Sequence, residues 1–324
     1  MDHPYLEYND VDHRFFHERL DPWLPERIFD AHRHVQLPEH TDETEEAYER
    51  PAFPAEIAGP ESVEQARLGY EIMFPGRQVE MLAFGSPQSN CHCEANNEYV
   101  SEAFEGGGSA GLALVRPEWE PQKLLRELRR PAIVGVKPYE RLIGGYGGGD
   151  VSVFDFMPHH QLEVLDELGA WLTLHLPRLE RLADRANIEE IMELRARYPN
   201  VVLVIAHLGR SYAGRYAREG FPPLANDPGI LFDNSAVFNP AVHALALQYF
   251  GPERIMWATD HPIFYMRGKR YWVGDRYVNL TNGNYSWNTD RQPPEVEAEY
   301  TLSIYEAVAA GIDTIRALGF GEAE

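Results

Sequence analysis

Short apolar runs rich in β-branched residues recur along the chain and alternate with segments of helical periodicity. Most runs are nearly continuously apolar, which is typical of parallel strands covered on both faces. They predict eight strands, at Arg27–Val35, Gln78–Ser86, Ala110–Arg116, Ala132–Tyr139, Ala170–Leu176, Val201–Leu208, Ile230–Ala236 and Arg254–Asp260. The intervening segments predict helices at Pro121–Arg129, His160–Leu168, Ile188–Tyr198 and Ala241–Phe250, and a helical tail at Pro294–Leu318.

Eight strands alternating with helices predict an α/β fold, the (β/α)8 TIM barrel, with an open doubly wound sheet as the alternative. We expect a single domain over all 324 residues, with an N-terminal extension at 1–26 and insertions at 36–76 and 265–292. Both insertions, and the glycine-rich segment Gly144–Asp150, follow the carboxyl end of a strand. Barrel enzymes place their sites on that face, so these loops are expected to form lids or pocket walls.

The charge balance excludes some partners and leaves others open. Lysine and arginine number 29 against 51 acidic residues, a formal net charge of −22. This excess argues against binding to nucleic acid or an anionic membrane, and leaves a small-molecule substrate as the expected partner. No run approaches the roughly 18 apolar residues of a membrane helix, and the first residues lack a secretory pattern. With only Cys91 and Cys93 present, we expect a cytoplasmic protein.

Two histidines lie two positions apart at the end of the first predicted strand, which reads Ile28-Phe29-Asp30-Ala31-His32-Arg33-His34-Val35. Alternate residues of a strand point to the same side, so His32 and His34 project together. Paired imidazoles suit a borderline cation such as zinc, with Asp30 or a carbonyl group orienting one ring. Two ordinary surface or core histidines would give the same local pattern, so this strand alone leaves both interpretations open.

Three further strands end in the same manner. His175 closes the fifth, His207 closes the sixth, and Asp260 closes the eighth. A polar side chain after an apolar run is costly unless it has a partner or faces the open mouth of the barrel. One such residue would usually be a satisfied core residue, whereas four strand ends in series favour one shared site at the mouth.

The ordered set of motifs resembles the amidohydrolase superfamily, in particular the amidohydrolase-related branch that includes aminocarboxymuconate-semialdehyde decarboxylase. The resemblance extends from about Ile28 to Pro262, and the run Asn97-Glu98-Tyr99-Val100 is also similar to that branch. The motifs are Asp30-x-His32-x-His34, Gly135-Val136-Lys137-Pro138, His175, Ala206-His207-Leu208-Gly209 and Thr259-Asp260-His261-Pro262.

The resemblance implies a divalent metal, most simply zinc, with manganese as a second possibility. By position its ligands would be His32, His34, His175 and Asp260, with His207 beside the metal as an acid/base or substrate-binding group. A bound cation lowers the pKa of water. Asp260 would then accept the proton of that water, and His207 would position the water or protonate the leaving group.

We therefore predict a hydrolase of a small carboxylic-acid derivative such as a lactone, ester or amide. A decarboxylase of an aromatic or unsaturated acid is one alternative, because the same ligands serve both reactions. A catalytically inactive barrel that acts as a binding protein is the other.

Several cations and one tyrosine are candidate substrate-binding residues. In several relatives a lysine at the position of Lys137 is carboxylated, but Lys137-Pro138 is more similar to the mononuclear branch, which implies an unmodified lysine. Lys137 and Tyr139 are candidates for contacting substrate, and a core-edge lysine with an ion partner is the equally open interpretation of Lys137. Arg178 and Arg210 follow site histidines and could bind a carboxylate, although salt-bridge or capping roles are equally open. Strand alternation directs Arg33 away from the histidines.

The remaining polar and aromatic features carry weaker predictions. Cys91-His92-Cys93 lacks the second cysteine pair of a structural zinc site and is interpreted as a pocket-lining loop. His159-His160 is expected to begin a helix, and Gly147-Gly148-Gly149 to be a flexible lid. Five aromatic residues of the last insertion are expected to line the pocket or an oligomer contact, and a homodimer is the common assembly for such enzymes. They are Tyr265, Tyr271, Trp272, Tyr277 and Trp287.

Overall fold

The computed structural model describes residues 2–42, 53–86, 88–146, 148 and 150–319. All eight predicted strands form, and they join in chain order into one parallel sheet. They are β1 (Arg27–His34), β2 (Gln78–Phe84), β3 (Ala110–Val115), β4 (Ile133–Pro138), β5 (Trp171–Leu174), β6 (Val202–Ile205), β7 (Ile230–Asp233) and β8 (Ile255–Met256).

Backbone hydrogen bonds between β1 and the segment that begins at Trp257 bring the two ends of this sheet together. Ala31 N donates to Trp257 O at 3.1 Å, Asp260 N donates to His32 O at 2.9 Å, and His34 N donates to His261 O at 3.0 Å. The sheet therefore closes into the predicted (β/α)8 barrel, and the open-sheet alternative is wrong.

Helices separate consecutive strands and cover the outside of the barrel. The four helices and the helical tail predicted from apolar periodicity are present, some with shifted ends. The α-helices are Asp10–Phe15, Val63–Met73, Cys93–Phe104, Pro121–Leu128, Val153–Phe156, His159–Leu168, Arg185–Arg197, Gly214–Leu224, Pro240–Phe250, Pro294–Glu297 and Ser303–Ala317, whereas His207–Arg210 is a left-handed turn.

The helix Cys93–Phe104 was not predicted because part of its buried face is polar. Asn97 is fully buried there, where its side-chain amide donates to Leu114 O at 3.0 Å and its oxygen accepts from Leu114 N at 2.8 Å. The amide thus binds the backbone of β3 instead of presenting an apolar surface to it. A periodicity test that counts only apolar residues misses such a helix.

The sixth and eighth strands end earlier than the apolar runs predict. Regular pairing stops at Ile205 and Met256, and the backbones of His207 and Asp260 turn to positive φ, at 57° and 60°. Such left-handed conformations are uncommon for non-glycine residues and cluster at functional sites. Both residues therefore lie on turns at the barrel mouth and not within the strands.

The last insertion and the tail are more structured than predicted. Residues 265–292 contain an antiparallel hairpin of β9 (Gly268–Val273) and β10 (Arg276–Thr281). The tail is two helices and not one, because the backbone between them pairs Leu302 with Arg267. Within the first insertion, residues 43–52 lie outside the described residues, and the remainder includes the helix Val63–Met73. Among the described residues no helix has the length and apolarity needed to cross a membrane.

Candidate metal centre

The two histidines of β1 lie next to a β-bulge. Asp30 pairs with Met81 and Arg33 with Ala83, so Ala31 and His32 together face one residue of β2. The rings of His32 and His34 lie 5.4 Å apart at the barrel mouth. Bulges occur frequently beside active sites, where they redirect a side chain.

Asp30 fixes the backbone around this bulge and does not orient a histidine ring. Its carboxylate is fully buried and accepts from His32 N at 3.0 Å and from Thr259 N at 3.0 Å. It thereby ties β1 to the segment that carries Asp260. The expectation that Asp30 or a carbonyl group orients one ring is met by the carbonyl of Gly85, which lies 3.2 Å from His34 Nδ1.

The hydrogen-bond partners of His32 and His34 define which ring nitrogen carries the proton. His34 Nδ1 faces the Gly85 carbonyl, and His32 Nδ1 lies 2.9 Å from Asp233 Oδ2. Both partners accept only, so each Nδ1 carries a proton, and each Nε2 is the ring nitrogen that faces Asp260. Burial, assisted by the nearby charge of Lys137, lowers the pKa of His32 to about 3, so its ring is neutral.

The two Nε2 atoms converge on one carboxylate oxygen. Asp260 Oδ1 lies 3.2 Å from His34 Nε2 and 3.4 Å from His32 Nε2. These ligand atoms lie within 4.8 Å of one another. Imidazole nitrogens and a carboxylate oxygen are the ligand atoms that a borderline divalent cation prefers, and here one atom from each of three side chains meets the others at this distance. The donor set of His32, His34 and Asp260 therefore fits a divalent metal ion.

Asp233, at the end of β7, is the most important site residue that sequence reasoning missed. Its carboxylate is fully buried and accepts from His32 Nδ1, from His207 N at 2.9 Å, and from Ser235 N and Oγ at 3.1 and 2.5 Å. Burial alone would raise its pKa, but the His32 imidazole and these donors hold the pKa well below its usual value. Asp233 ends an apolar run as Asp260 does, so the same signal was available.

His207 is held in the same tautomer by Ser235. Its Nδ1 lies 2.7 Å from Ser235 Oγ and 3.2 Å from the Ser235 carbonyl oxygen. Because the serine hydroxyl donates to Asp233, its oxygen accepts here, and Nδ1 carries the proton. Burial lowers the pKa of His207, so the ring is neutral and its Nε2 is unprotonated.

His175 lies at the same mouth but outside the tightest group of ligand atoms. Its ring is 5.5 Å from that of His207, and burial holds its pKa well below the usual value. The structure thus brings the five predicted residues around one cavity of about 480 Å³, which His32, His34, His175, His207 and Asp260 line. Lys137 and Tyr139 line it as well.

The arginines singled out from the sequence have structural partners and do not line this cavity. Arg178 donates to Glu190 at 2.6 Å, and Arg210 donates to the Leu176 carbonyl at 2.8 Å. Arg33 points away from the histidines as predicted and donates to Glu61 and, at 2.7 Å, to the Tyr265 hydroxyl. Arg178 thus has a salt-bridge partner and Arg210 a backbone acceptor, and their predicted binding to substrate stays a prediction.

The weaker predictions have mixed outcomes. Cys91 and Cys93 are buried free thiols, and the candidate metal groups among the described residues contain neither. The five aromatic residues of the last insertion are absent from the cavity lining, whereas Tyr212, which was not predicted, lines it. The helix His159–Leu168 begins where expected. Gly147 and Gly149 of the predicted lid lie outside the described residues.

The side chain of Lys137 is only 1% exposed, and within the described residues its Nζ has no hydrogen-bond partner. Burial lowers its pKa to about 8 from the usual 10.5. An unpartnered buried charge is costly, so we expect Lys137→Met to stabilise the metal-free protein by roughly 1–3 kcal/mol at pH 7.

The pH dependence of that stabilisation provides the check. Between pH 8 and 10.5 the unfolded chain retains a proton that folded Lys137 releases, so the stability of the wild type rises with pH in this window. The advantage of Lys137→Met should therefore be complete below pH 8 and shrink toward pH 10. Urea unfolding at pH 7 and pH 10 measures it, and an advantage equal at both values would assign the effect to packing instead of charge.

One family model matches most of this chain. The sequence model of the amidohydrolase family, described as "Amidohydrolase", matches residues 29–279. A search of curated proteins found no match.

Three solved structures illustrate the similarity in fold. The first is 5-carboxyvanillate decarboxylase from Sphingomonas paucimobilis, with 14% identity, a TM-score of 0.51, and coverage of 90% of this chain and 98% of that one. The second is the Novosphingobium aromaticivorans 5-carboxyvanillate decarboxylase complexed with manganese and 4-hydroxy-3-methoxy-5-nitrobenzoic acid. It has 13% identity and a TM-score of 0.52, and the match covers 82% of this chain and 91% of that one. The third is amidohydrolase 2 from Bifidobacterium longum subsp. infantis, with 15% identity and a TM-score of 0.50, and the match covers 74% of this chain and 86% of that one. Because the family model spans most of the barrel, this chain belongs to the amidohydrolase family of metal-dependent enzymes.

Proposed function

We propose that this enzyme hydrolyses a small carboxylic-acid derivative, such as a lactone, ester or amide, with a divalent metal bound by His32, His34, His175 and Asp260. The observation that carries the proposal is the unprotonated Nε2 of His207, which lies beside the group His32, His34 and Asp260. Activation of water requires a base, whereas protonation of a carbon atom requires an acid. A neutral His207 with its proton on Nδ1 is a base.

The metal, when bound, supplies Lewis acidity that acidifies water and polarises a substrate carbonyl. His207 Nε2 then accepts a proton as the water oxygen attacks the carbonyl carbon. When the bond to the leaving group breaks, the same nitrogen returns the proton to the leaving oxygen or nitrogen. Asp260 offers a second carboxylate oxygen as an alternative proton acceptor beside the ligand group.

Asp233 and Ser235 are positioning residues in this scheme. The Ser235 oxygen and carbonyl hold the proton of His207 on Nδ1, which keeps Nε2 available. The Asp233 carboxylate lies 3.9 Å from His207 Nδ1 and stabilises the imidazolium that forms during turnover. It also fixes the tautomer of His32, so one carboxylate serves both a ligand and the base.

Lys137 and Tyr139 are proposed as substrate-binding groups. The Lys137 ammonium lies within electrostatic reach of Asp260 and faces the cavity, so it is available to donate to a carbonyl oxygen as negative charge develops there. The Tyr139 hydroxyl donates to Gly85 O at a long 3.4 Å and can exchange that bond for one to substrate.

Zinc is the proposed metal because three imidazoles and one carboxylate suit its ligand preferences. Manganese is the second choice, and the Novosphingobium aromaticivorans decarboxylase of the same fold binds it. Both ions should therefore be used for reconstitution.

Decarboxylation of an aromatic or unsaturated acid is the second candidate. The names of the two 5-carboxyvanillate decarboxylases that share the fold favour it. This reaction would require Asp260 or His207 to deliver a proton to carbon, which the neutral Nδ1-protonated ring of His207 does not favour.

One incubation in H₂¹⁸O distinguishes the two reactions. Metal-reconstituted enzyme is supplied with panels of lactones, esters, amides and aromatic acids, and products are analysed by mass spectrometry. Hydrolysis places ¹⁸O in the product acid, whereas decarboxylation releases carbon dioxide without consuming water. His207→Gln should lower kcat by about 10²–10⁴-fold, the usual contribution of a general base. His159→Gln, a substitution outside the cavity on helix His159–Leu168, is the control.

Full turnover by His207→Gln would contradict the proposed role of the base. Carbon dioxide release without ¹⁸O incorporation would replace hydrolysis by the second candidate. Stoichiometric metal loading would argue against the third possibility, an inactive barrel. We further expect a homodimer, which light scattering of the purified protein tests.

A further inference from the structure

The cavity is lined by two cations that form no ion pair within 4.0 Å with any residue that the structure describes. The first is Lys137, whose buried Nζ lies over the rings of Phe84 and Tyr139, at 5.1 and 5.3 Å from their centres. Across the residues that the structure describes, it has no hydrogen-bond acceptor. Aromatic faces attract an ammonium but do not satisfy its three donors, so a ligand acceptor is expected in the cavity.

The second cation is Arg141, in the short 3-10 turn Glu140–Leu142 that follows β4. Its guanidinium forms neither a hydrogen bond nor an ion pair with any part of the chain that is described, and its charge acts on the Tyr139 hydroxyl. Arg33, Arg178 and Arg210, in contrast, all bind protein acceptors. Arg141 is therefore a free guanidinium on the cavity wall.

The two cations occupy different positions on the chain. Lys137 belongs to β4 and interacts electrostatically with Asp233 and Asp260. Arg141 lies beyond the end of β4, on the turn Glu140–Leu142. The cavity thus has a reacting end beside Lys137 and a second, cationic position at Arg141.

We propose that Arg141 is the binding site for a carboxylate of the substrate, so that the enzyme selects a small acid derivative with a free carboxylate remote from its reacting carbonyl. The proposal rests on the proposed function for the position of that carbonyl, which lies beside Lys137 and the ligand group. A guanidinium fork matches a carboxylate with two parallel hydrogen bonds. A cavity of about 480 Å³ accommodates a molecule of this size.

Glu140 determines which anion fits best. It lies on the same turn, lines the same cavity, and forms no ion pair with a described residue within 4.0 Å. Its charge opposes anion binding at Arg141, so a singly charged carboxylate is favoured over a doubly charged phosphate. The other carboxylates of the wall are engaged, Glu61 by Arg33 and Asp260 by the ligand group.

Binding of matched ester pairs to the zinc-loaded enzyme tests this selection. The charged probes are the monomethyl esters of succinic, glutaric, adipic and isophthalic acid. Their neutral partners are methyl propanoate, butanoate, pentanoate and benzoate, which lack only the second carboxylate. Calorimetry measures each Kd in a His207→Gln background, where the proposed hydrolysis of the esters is slowed, on the protein that is wild type at 140 and 141, on Arg141→Gln, Arg141→Lys and Glu140→Gln, and on the exposed control Arg126→Gln.

The wild type should bind at least one half ester about 10-fold or more tightly than its neutral partner, and Arg141→Gln should abolish that preference. Arg141→Lys should restore part of it, Glu140→Gln should strengthen it, and Arg126→Gln should leave it unchanged. A structural role of Arg141 would not produce opposite effects at adjacent positions. The absence of a half-ester preference in the wild type, or its survival in Arg141→Gln, overturns the proposal.

Hydrolysis of the same esters separates this proposal from the proposed function. If the half esters bind through Arg141 but no ¹⁸O enters the product acids, the carboxylate site stands and hydrolysis fails. If esters are hydrolysed with equal kcat/KM whether or not they carry the second carboxylate, hydrolysis stands and the carboxylate site fails.

Discussion

Replacing His32 and His34 together by alanine should remove the bound divalent metal and lower turnover by about 1,000-fold or more. The magnitude follows because a metal ion contributes several kcal/mol to transition-state stabilisation, and each 1.36 kcal/mol is tenfold in rate. The Nε2 atoms of the two rings are two of the three candidate ligand atoms, and both lie within 3.4 Å of the third, Asp260 Oδ1. Without them the remaining donors cannot hold an ion in a closed group. Metal analysis after dialysis against a weak chelator provides the measurement.

A second pair of histidines provides a matched control. His13 and His17 have ring centres 4.4 Å apart on the protein surface, and His17 also has a carboxylate partner, Asp21, at 3.1 Å. Replacing both by alanine removes the same side-chain volume outside the cavity and should leave metal content and turnover unchanged. Metal retained at one equivalent in the His32→Ala/His34→Ala variant would refute the proposed ligand set.

Asp233→Asn is expected to weaken metal binding by about 10–100-fold while the protein still folds. Removing the hydrogen-bond partner that orients a metal-binding histidine typically lowers the metal affinity by about this factor. The amide keeps the shape of the carboxylate but removes its charge and replaces one acceptor by a donor group. Because His32 Nδ1, His207 N and Ser235 all donate to Asp233, one of these donors must then face another donor. Competition with a fluorescent chelator measures the metal affinity, and urea unfolding measures the stability.

Asp12→Asn is the control, since Asp12 is also fully buried, accepts from Thr301 Oγ1 and Leu302 N at 2.8 and 2.9 Å, and does not line the cavity. Both variants should lose stability, because each disturbs a buried carboxylate network. Only Asp233→Asn should lose metal affinity as well. Equal metal affinity in the two variants would limit Asp233 to a structural role.

Two carboxylates organise the candidate metal centre. One carboxylate, Asp260, faces the two Nε2 atoms, and a second, Asp233, holds the opposite nitrogen of His32 and the backbone of His207. Burial keeps the rings of His32 and His207 neutral. Their tautomers follow from the acceptors that face each Nδ1. A candidate cation site therefore lies beside a candidate proton acceptor.

The sequence alone identified the strands, the closed barrel and the residues at its mouth. Apolar runs of strand length survive in the structure because they are buried on both faces, and this requirement is local. His32, His34, His175, His207 and Asp260 were recognisable because a polar residue after such a run is costly unless it faces the open end. By the same criterion Asp233 was predictable, since it follows Ile230-Leu231-Phe232.

Only the tertiary structure decided what each polar group does. His32 and Asp233 are 201 positions apart, and their 2.9 Å contact exists because barrel closure brings β7 near β1. The same holds for the arginines: Arg178 and Arg210 have acceptors supplied by other segments, whereas Arg141 has none among the described residues. Periodicity and burial are properties of a short stretch of chain. Protonation state, tautomer and free charge depend on which distant groups lie within hydrogen-bond distance, and only the folded chain determines that.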